Sequence, residues 1–479
     1  MVRPVGVEQN GGVVSSRQVR GVRRTTCWTA ALALTLGLGA CSSEEDPEPS
    51  APRTTAAAPQ SSDEVELTFG VWGSDDEIAA YETTVAQFNA LSDESNVRIV
   101  AFPDRDALVK ALRTGARETP DVYMLDRQDL VWAHDEDLNT PIGELLDERG
   151  VEFGDRYSRS ALEAFGLDRE LQCMPYGISP TVMYYNTDLV DFDRMAELGL
   201  DVPSATRTKW TFAQFAEAAN FASRKRRGTK GVHVSPTLLG LAPFVYSGGP
   251  VFNDETDPTS LALNDDDSRE ALAEALRVLR DPTLTLSDEQ LARRTPLEWF
   301  KAGKVAMIPG DRSLVPELRR VRGLDFDVIP MPILESAATV GDITGLCVSS
   351  TARSVPEAAD FVVHALSTES VREVTRAGYL APANQEVALS DDFLQPGRQP
   401  AHAGAFNTSV RALQIPPLLD VWGALEAAVN PILSELFTVP VVDDIGDYTQ
   451  RIDEASRAVL DPESVEESPT EEPSGSPTE

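Results

Sequence analysis

Between Val65 and Leu125 the spacing of apolar residues switches repeatedly between two periods, and that order constrains the fold more than any other feature of the chain. Val65, Leu67, Phe69 and Val71 alternate with polar residues, which is the pattern of a strand with one covered face. Ile78, Tyr81, Val85, Phe88 and Leu91 then recur at helical spacing. Val97, Ile99 and Ala101 predict a second strand, Leu108, Ala111 and Leu112 a second helix, and Asp121 to Leu125 a third strand. A βαβαβ order implies an α/β protein with a mostly parallel sheet covered by helices. Ligands of such sheets bind beyond the carboxyl ends of the strands. Trp72, Ser74 and Asp75 follow the first strand, and Asp126 and Arg127 follow the third, so these two loops are expected to share one rim.

With 479 residues the chain exceeds one ordinary core, and two packed lobes are expected. Its 77 acidic residues against 42 basic ones give a formal charge of -35, which repels phosphate backbones and excludes nucleic acid as a natural partner. The start runs against this balance: Arg17, Arg20, Arg23 and Arg24 precede an uncharged stretch from Thr25 to Ala40 that ends in Leu38-Gly39-Ala40-Cys41. This resembles a bacterial lipoprotein signal, so residues 1–40 are read as an export signal and Cys41 as the lipid anchor to the membrane. Residues 41–64 are rich in Ser, Pro, Ala and acid and predict a disordered tether, and residues 461–479 predict a disordered acidic tail.

Cys27 leaves with the signal, so Cys173 and Cys347 are the cysteines of the folded body. Their separation excludes a CxxC motif, and both sit in apolar, strand-like runs. Buried free thiols are the expectation, with a disulfide as the alternative. Further along, Thr211 and Gln214 have the spacing of a capping box, Trp210 and Phe215 that of a hydrophobic staple, and a helix to about Ser223 follows. Asp265, Asp266 and Asp267 precede a helix from Ser268 to Arg280. A calcium loop there lacks the required glycine and terminal glutamate.

Seven short segments occur in an order that resembles the family 1 extracellular solute-binding proteins, the group that includes maltodextrin-binding protein. They are Leu67-Thr68-Phe69-Gly70-Val71-Trp72; Pro120-Asp121-Val122; Pro175-Tyr176-Gly177 leading to Tyr184-Tyr185-Asn186-Thr187-Asp188-Leu189; Trp210-Thr211-Phe212; Ser247-Gly248-Gly249-Pro250; Phe300 to Met307; and Pro356-Glu357-Ala358-Ala359. The resemblance implies a two-lobed, periplasmic-binding-protein-like fold of type II, with discontinuous lobes joined by a hinge. Lobe 1 would take residues 65–175 with 343–378, and lobe 2 residues 184–340 with 380–460. Hinge strands are expected near Pro175 to Met183 and Gly341 to Ser350. The implied function is capture of a small polar solute, a mono- or oligosaccharide, by closure of the lobes, followed by docking on the permease subunits of an ABC importer. A monomer without cofactor or metal is expected. No HExxH, GxSxG or Walker motif is present, no GxGxxG occurs in the mature body, and His134, His233, His364 and His402 are scattered, which argues against catalysis.

A sugar site needs hydrogen-bonding groups around the rim and aromatic rings for the sugar's apolar face. Trp72, Ser74, Asp75, Asp126, Arg127, Tyr176, Tyr246 and Trp422 are the candidates, and Trp422 lies in a late segment where the maltodextrin-binding relative places a stacking tryptophan. Trp299 is read as core. Many sugar-binding relatives carry an aromatic where this chain has Asp311-Arg312. A guanidinium suits carboxylate or phosphate, so an acidic or phosphorylated sugar is an alternative ligand, with Asp311 and Arg312 added to the site. A scaffold lipoprotein with a degenerate site is the second alternative, and metal capture through Tyr184-Tyr185 a third.

Overall fold

The structure is a computed structural model that describes residues 64–466 except 116–118 and 152. The signal, the Cys41 anchor, most of the tether and the end of the tail lie outside the described residues. Where the tail was expected to begin, Pro462–Glu466 forms a short helix.

Ten strands make up the two main sheets: β1 (Val65–Trp72), β2 (Ser95–Phe102), β3 (Val122–Asp126), β4 (Asn139–Thr140), β5 (Met174–Pro180), β6 (Val182–Asn186), β7 (Lys230–Val232), β8 (Val305–Gly310), β9 (Phe326–Ile329) and β10 (Gly341–Ser349). The first sheet runs β2-β1-β3-β10-β4, with β5 also on β10, and the second runs β9-β6-β8-β7. β1 is parallel to both β2 and β3, as the alternating periods predict. β10 returns from late in the chain and lies antiparallel to β3, β4 and β5.

The short motifs have structural reasons. Asp121 is buried at the start of β3 and accepts hydrogen bonds from Thr68 N and Oγ1 at 2.8 and 2.7 Å and from Arg353 N and Nη1 at 2.7 Å. One carboxylate thereby ties β1, β3 and the turn after β10 together, and burying it is tolerable because it is so fully bonded. Thr211 and Gln214 form the capping box of the helix Phe212–Ala222, and the rings of Trp210 and Phe215 meet at 5.5 Å.

In β6, Met183 and Tyr185 face one apolar core while Val182 and Tyr184 face another, so the second sheet is covered on both sides. The Tyr184-Tyr185 pair is therefore core, and among the described residues no group of His, Cys, Asp or Glu is placed to hold a metal ion. The core of the first sheet gathers Leu67 to Ile178 and Ile343 to Val374 and continues to Leu380, Ala383 and Val387. Ala381, Phe393 and Phe406 belong instead to the core beside the second sheet, so the stretch from Leu380 to Phe406 is shared between the two bodies.

The chain passes between the sheets at Thr181, at Thr339 to Gly341, and again near Ala412 to Leu419. These crossings bond to one another: Thr181 N donates to Val340 O (2.8 Å), Thr339 Oγ1 to Thr181 O (2.5 Å), Thr339 N to Ala412 O (3.0 Å) and Gln414 N to Thr339 O (2.8 Å). Gly341 permits this closeness, because a Cβ there would stand 2.2 Å from Ser179 O. Three adjacent connections, hydrogen-bonded to one another, thus carry the chain between the two bodies, which is the arrangement a hinge requires.

The expectation of free thiols is corrected: Cys173 and Cys347 are joined in a disulfide, with Cα atoms 4.4 Å apart. The register explains it. Leu346 pairs with Met174 in the antiparallel β5–β10 ladder, and the next step outward sets Cys347 opposite Cys173. The bond fastens the lobe end of the two hinge strands.

Candidate functional site

Where the strand ends of the two sheets face each other there is a cavity of about 320 Å³. The end of β3 supplies Asp126, Arg127 and Gln128, the end of β8 supplies Asp311, and the crossing strands supply Thr181, Gly341 and Asp342. Ser235 and Thr237, at the start of the helix Leu238–Tyr246, form another wall. The last is Ile415 to Pro417 with Leu419 and Trp422.

Asp126 is buried, with Oδ1 accepting from Thr344 Oγ1 at 2.9 Å and Oδ2 facing Arg105 Nε at 3.2 Å. Burial, reinforced by the nearby Asp342, pushes its carboxyl up to about 7 despite Thr344 and Arg105. Arg105 is committed chiefly to Asp129 through two hydrogen bonds, at 2.8 and 2.7 Å. Arg127 Nη1 donates to Pro416 O at 2.6 Å, joining the first sheet to the late crossing, and its Nε is buried without a partner. Burial lowers this guanidinium to about 10. Asp311 Oδ1 accepts from Ser313 N and Oγ at 2.8 and 2.5 Å, and its backbone oxygen accepts from Tyr184 Oη at 2.5 Å. Asp342 opens onto the cavity but is overhung by surrounding chain, and this desolvation, then Asp311, raises its carboxyl. Trp422 begins the helix Trp422–Thr438, and its ring lies tilted against that of Phe252, with centroids 6.2 Å apart.

The cavity thus gathers Asp126, Arg127, Asp311 and Trp422 from the residues singled out in the sequence, and the others lie elsewhere. Trp72 packs half-buried on the core of the first sheet, Ser74 stands at the N-cap of the helix Asp75–Leu91, and Asp75 is exposed in its first turn. That loop faces the second body through Asp76, which pairs with Arg320, and through Glu77. Tyr176 is 2% exposed and lies against Tyr81 in the hinge-strand core. Tyr246 is half-buried with its hydroxyl 3.3 Å from Glu255. Neither tyrosine lines the cavity.

Arg312 is the main correction. It is 0% exposed, donates from Nε to Gly378 O at 3.1 Å and from Nη2 to Phe393 O at 2.8 Å, and lies over the Phe393 and Phe406 rings at 4.6 and 5.5 Å. Asp311 faces the cavity while Arg312 turns into the shared core, as successive side chains leaving a strand do. Arg312, the first of the two cations on which an acidic or phosphorylated ligand depended, is absent from the cavity, and the second, Arg127, stands there among three carboxylates.

Asp342 and Glu77 were not singled out in the sequence. A lone acid in the apolar run Gly341-Asp342-Ile343-Thr344-Gly345-Leu346 is the signal that marks the first. Glu77 is pushed up to about 7 by burial and by Asp311, against a lowering bond from the Ser74 backbone. A raised carboxyl contributes stability that is complete below its unfolded value near 4.5 and is lost as pH rises through about 7. Glu77→Gln is therefore expected to stabilise the protein by about 2 kcal/mol at pH 8 and hardly at all near pH 4.5. Denaturant titrations at both pH values check this, and a gain independent of pH contradicts the assigned cause.

Residues 83–400 match the family described as bacterial extracellular solute-binding protein. The chain belongs to that family. This solute-binding protein also shares its fold with an ABC substrate-binding protein of Listeria monocytogenes in complex with cycloalternan, at 17% identity and a TM-score of 0.70 over 84% of this chain and 100% of that one. The sugar-binding protein MalE of Xanthomonas citri is 16% identical, with a TM-score of 0.68 over 85% and 100% of the two chains. The GacH receptor of Streptomyces glaucescens, studied unliganded and with acarbose, is 18% identical, with a TM-score of 0.66 over 83% and 98%. A search of curated protein sequences gives no match. The family is one of extracytoplasmic binding proteins, and among the described residues no helix is long and apolar enough to cross a membrane.

Proposed function

We propose that this protein captures a small polyhydroxyl solute, a mono- or oligosaccharide, in the cavity between its two sheets, and delivers it by lobe closure to the permease subunits of an ABC importer while anchored through Cys41. The observation that carries the reading is the meeting of Asp126, Asp311, Asp342 and Trp422 around one cavity beside the three connections that join the two bodies. Carboxylates accept hydrogen bonds from sugar hydroxyls, and an indole offers a flat apolar surface for the C–H face of a sugar ring. The cavity lies beyond strand ends, where open α/β sheets hold ligands. The fold relatives from Listeria and Streptomyces were studied with cycloalternan and acarbose, which supports a saccharide-like solute.

Thermal denaturation against a panel of saccharides tests the reading. A solute at about 100 times its Kd adds roughly 2.7 kcal/mol of stability. No shift with any member contradicts the proposal. With a binding member in hand, Trp422→Ala is expected to weaken affinity about 30-fold, the equivalent of roughly 2 kcal/mol for an aromatic anchor, as titration calorimetry would measure. Unchanged affinity removes Trp422 from the site.

A further inference from the structure

The charges lining the cavity are unbalanced, and the imbalance bears on which solute fits. Resting on the reading just given, we propose that the solute carries a protonated amine together with its hydroxyls, an amino-substituted sugar or another polyhydroxylated amine, rather than a neutral or acidic saccharide.

Three carboxylates reach the cavity from three separate places: Asp126 from the end of β3, Asp342 from the hinge strand β10, and Asp311 from the end of β8 in the other sheet. Arg127 is the single base among the lining residues, and its Nη1 is held by Pro416 O. Of the two other nearby cations, Arg105 is bonded chiefly to Asp129 and reaches only Asp126 among the three acids, at 3.2 Å, while Arg312 lies inside the shared core, so among the described residues Asp311 and Asp342 have no ion-pair partner. An ionised carboxylate only accepts hydrogen bonds. Among the described residues the Asp342 side chain has no hydrogen-bond donor, and the bonds made by the Asp311 side chain are those from Ser313 to Oδ1. An ammonium group supplies donors and a compensating charge at once, which hydroxyls supply only in part. Trp422, independent of the acids, lines the same cavity, and an indole face attracts cations as well as sugar C–H groups.

The placement also gives the solute a means of closing the lobes. Asp126 and Asp311 sit on opposite sheets, so closure without a solute crowds negative charges across the cavity. A cation between them reverses that interaction, and contacts made only in the closed form are what drives closure. The carboxyls of Asp126 and Asp342 are raised chiefly by burial, with Asp342 and Asp129 adding to the first, Asp311 adding to the second, and Arg105 opposing both.

The test is calorimetric titration of the full protein at pH 7, where the amine probes carry their proton, with matched pairs: glucose and sorbitol as neutral polyols, glucosamine and glucamine as their amine-bearing counterparts, and glucuronate as the acid. The expected result is that an amine-bearing probe binds at least tenfold tighter than its neutral counterpart, that glucuronate does not bind, and that Asp342→Asn removes the tenfold preference. Asp311→Asn, at the other side of the cavity, provides a second variant with the same expectation should the first fail to fold. Neutral sugars binding as tightly as the amines would overturn the inference and leave saccharide capture standing. Failure of every probe, with folded protein, would reject both.

Discussion

Replacing Cys173 and Cys347 together by alanine is expected to cost about 4 kcal/mol of stability, and with it to lower the melting temperature by roughly 5 °C. The two residues are 174 positions apart and both are fully buried, so the bond closes a long loop inside the core of the first sheet. A loop of that length removes much freedom from the unfolded chain, and truncating the side chains leaves small voids on top. The bond lies at the lobe end of β5 and β10, away from the cavity residues Gly341 and Asp342 at the other end of β10. Solute affinity should therefore change by less than about threefold at temperatures where the variant is folded. Scanning calorimetry with and without reductant measures the first quantity. Equal melting temperatures for oxidised and reduced protein would contradict the bridge.

Arg312→Ala is expected to cost about 3 kcal/mol of stability while leaving solute affinity unaltered. The side chain fills a fully buried space between Phe393 and Phe406 and supplies donors to the carbonyls of Gly378 and Phe393. Its removal opens a void and orphans two acceptors. Burial of the cation, which holds it near 10 with Nη1 unpaired, offsets part of that loss and keeps the net figure moderate. Urea titration and calorimetry on the same variant separate the two effects. A stable variant with weakened solute binding would return Arg312 to the ligand site.

The architecture was legible because it rests on local patterns. The alternation in Val65 to Val71, the helical spacing from Ile78 to Leu91 and the capping box at Thr211 each act within a few residues, and the structure realises all of them. The lining of the cavity was legible where strand ends dictated it, as for Asp126 and Arg127, and where the family resemblance pointed to it, as for Trp422. Trp72 ends a strand in the same way, yet packs on the core, because which face of the strand end opens to the cavity depends on packing against the other body. The same dependence separated Asp311 from Arg312, neighbours in sequence that point into different environments. The disulfide was hidden for a related reason: it follows from the register of β5 on β10, a pairing between segments 174 residues apart that no local pattern encodes.

Lobe closure on a single solute is the central claim, and small-angle X-ray scattering on one sample with and without a binding saccharide tests it most directly. The expected result is a smaller radius of gyration at saturating solute, reached at one solute per chain, and no such change in Trp422→Ala at the same solute concentration. A solute that binds while leaving the scattering profile unchanged would contradict closure and require a rigid receptor instead.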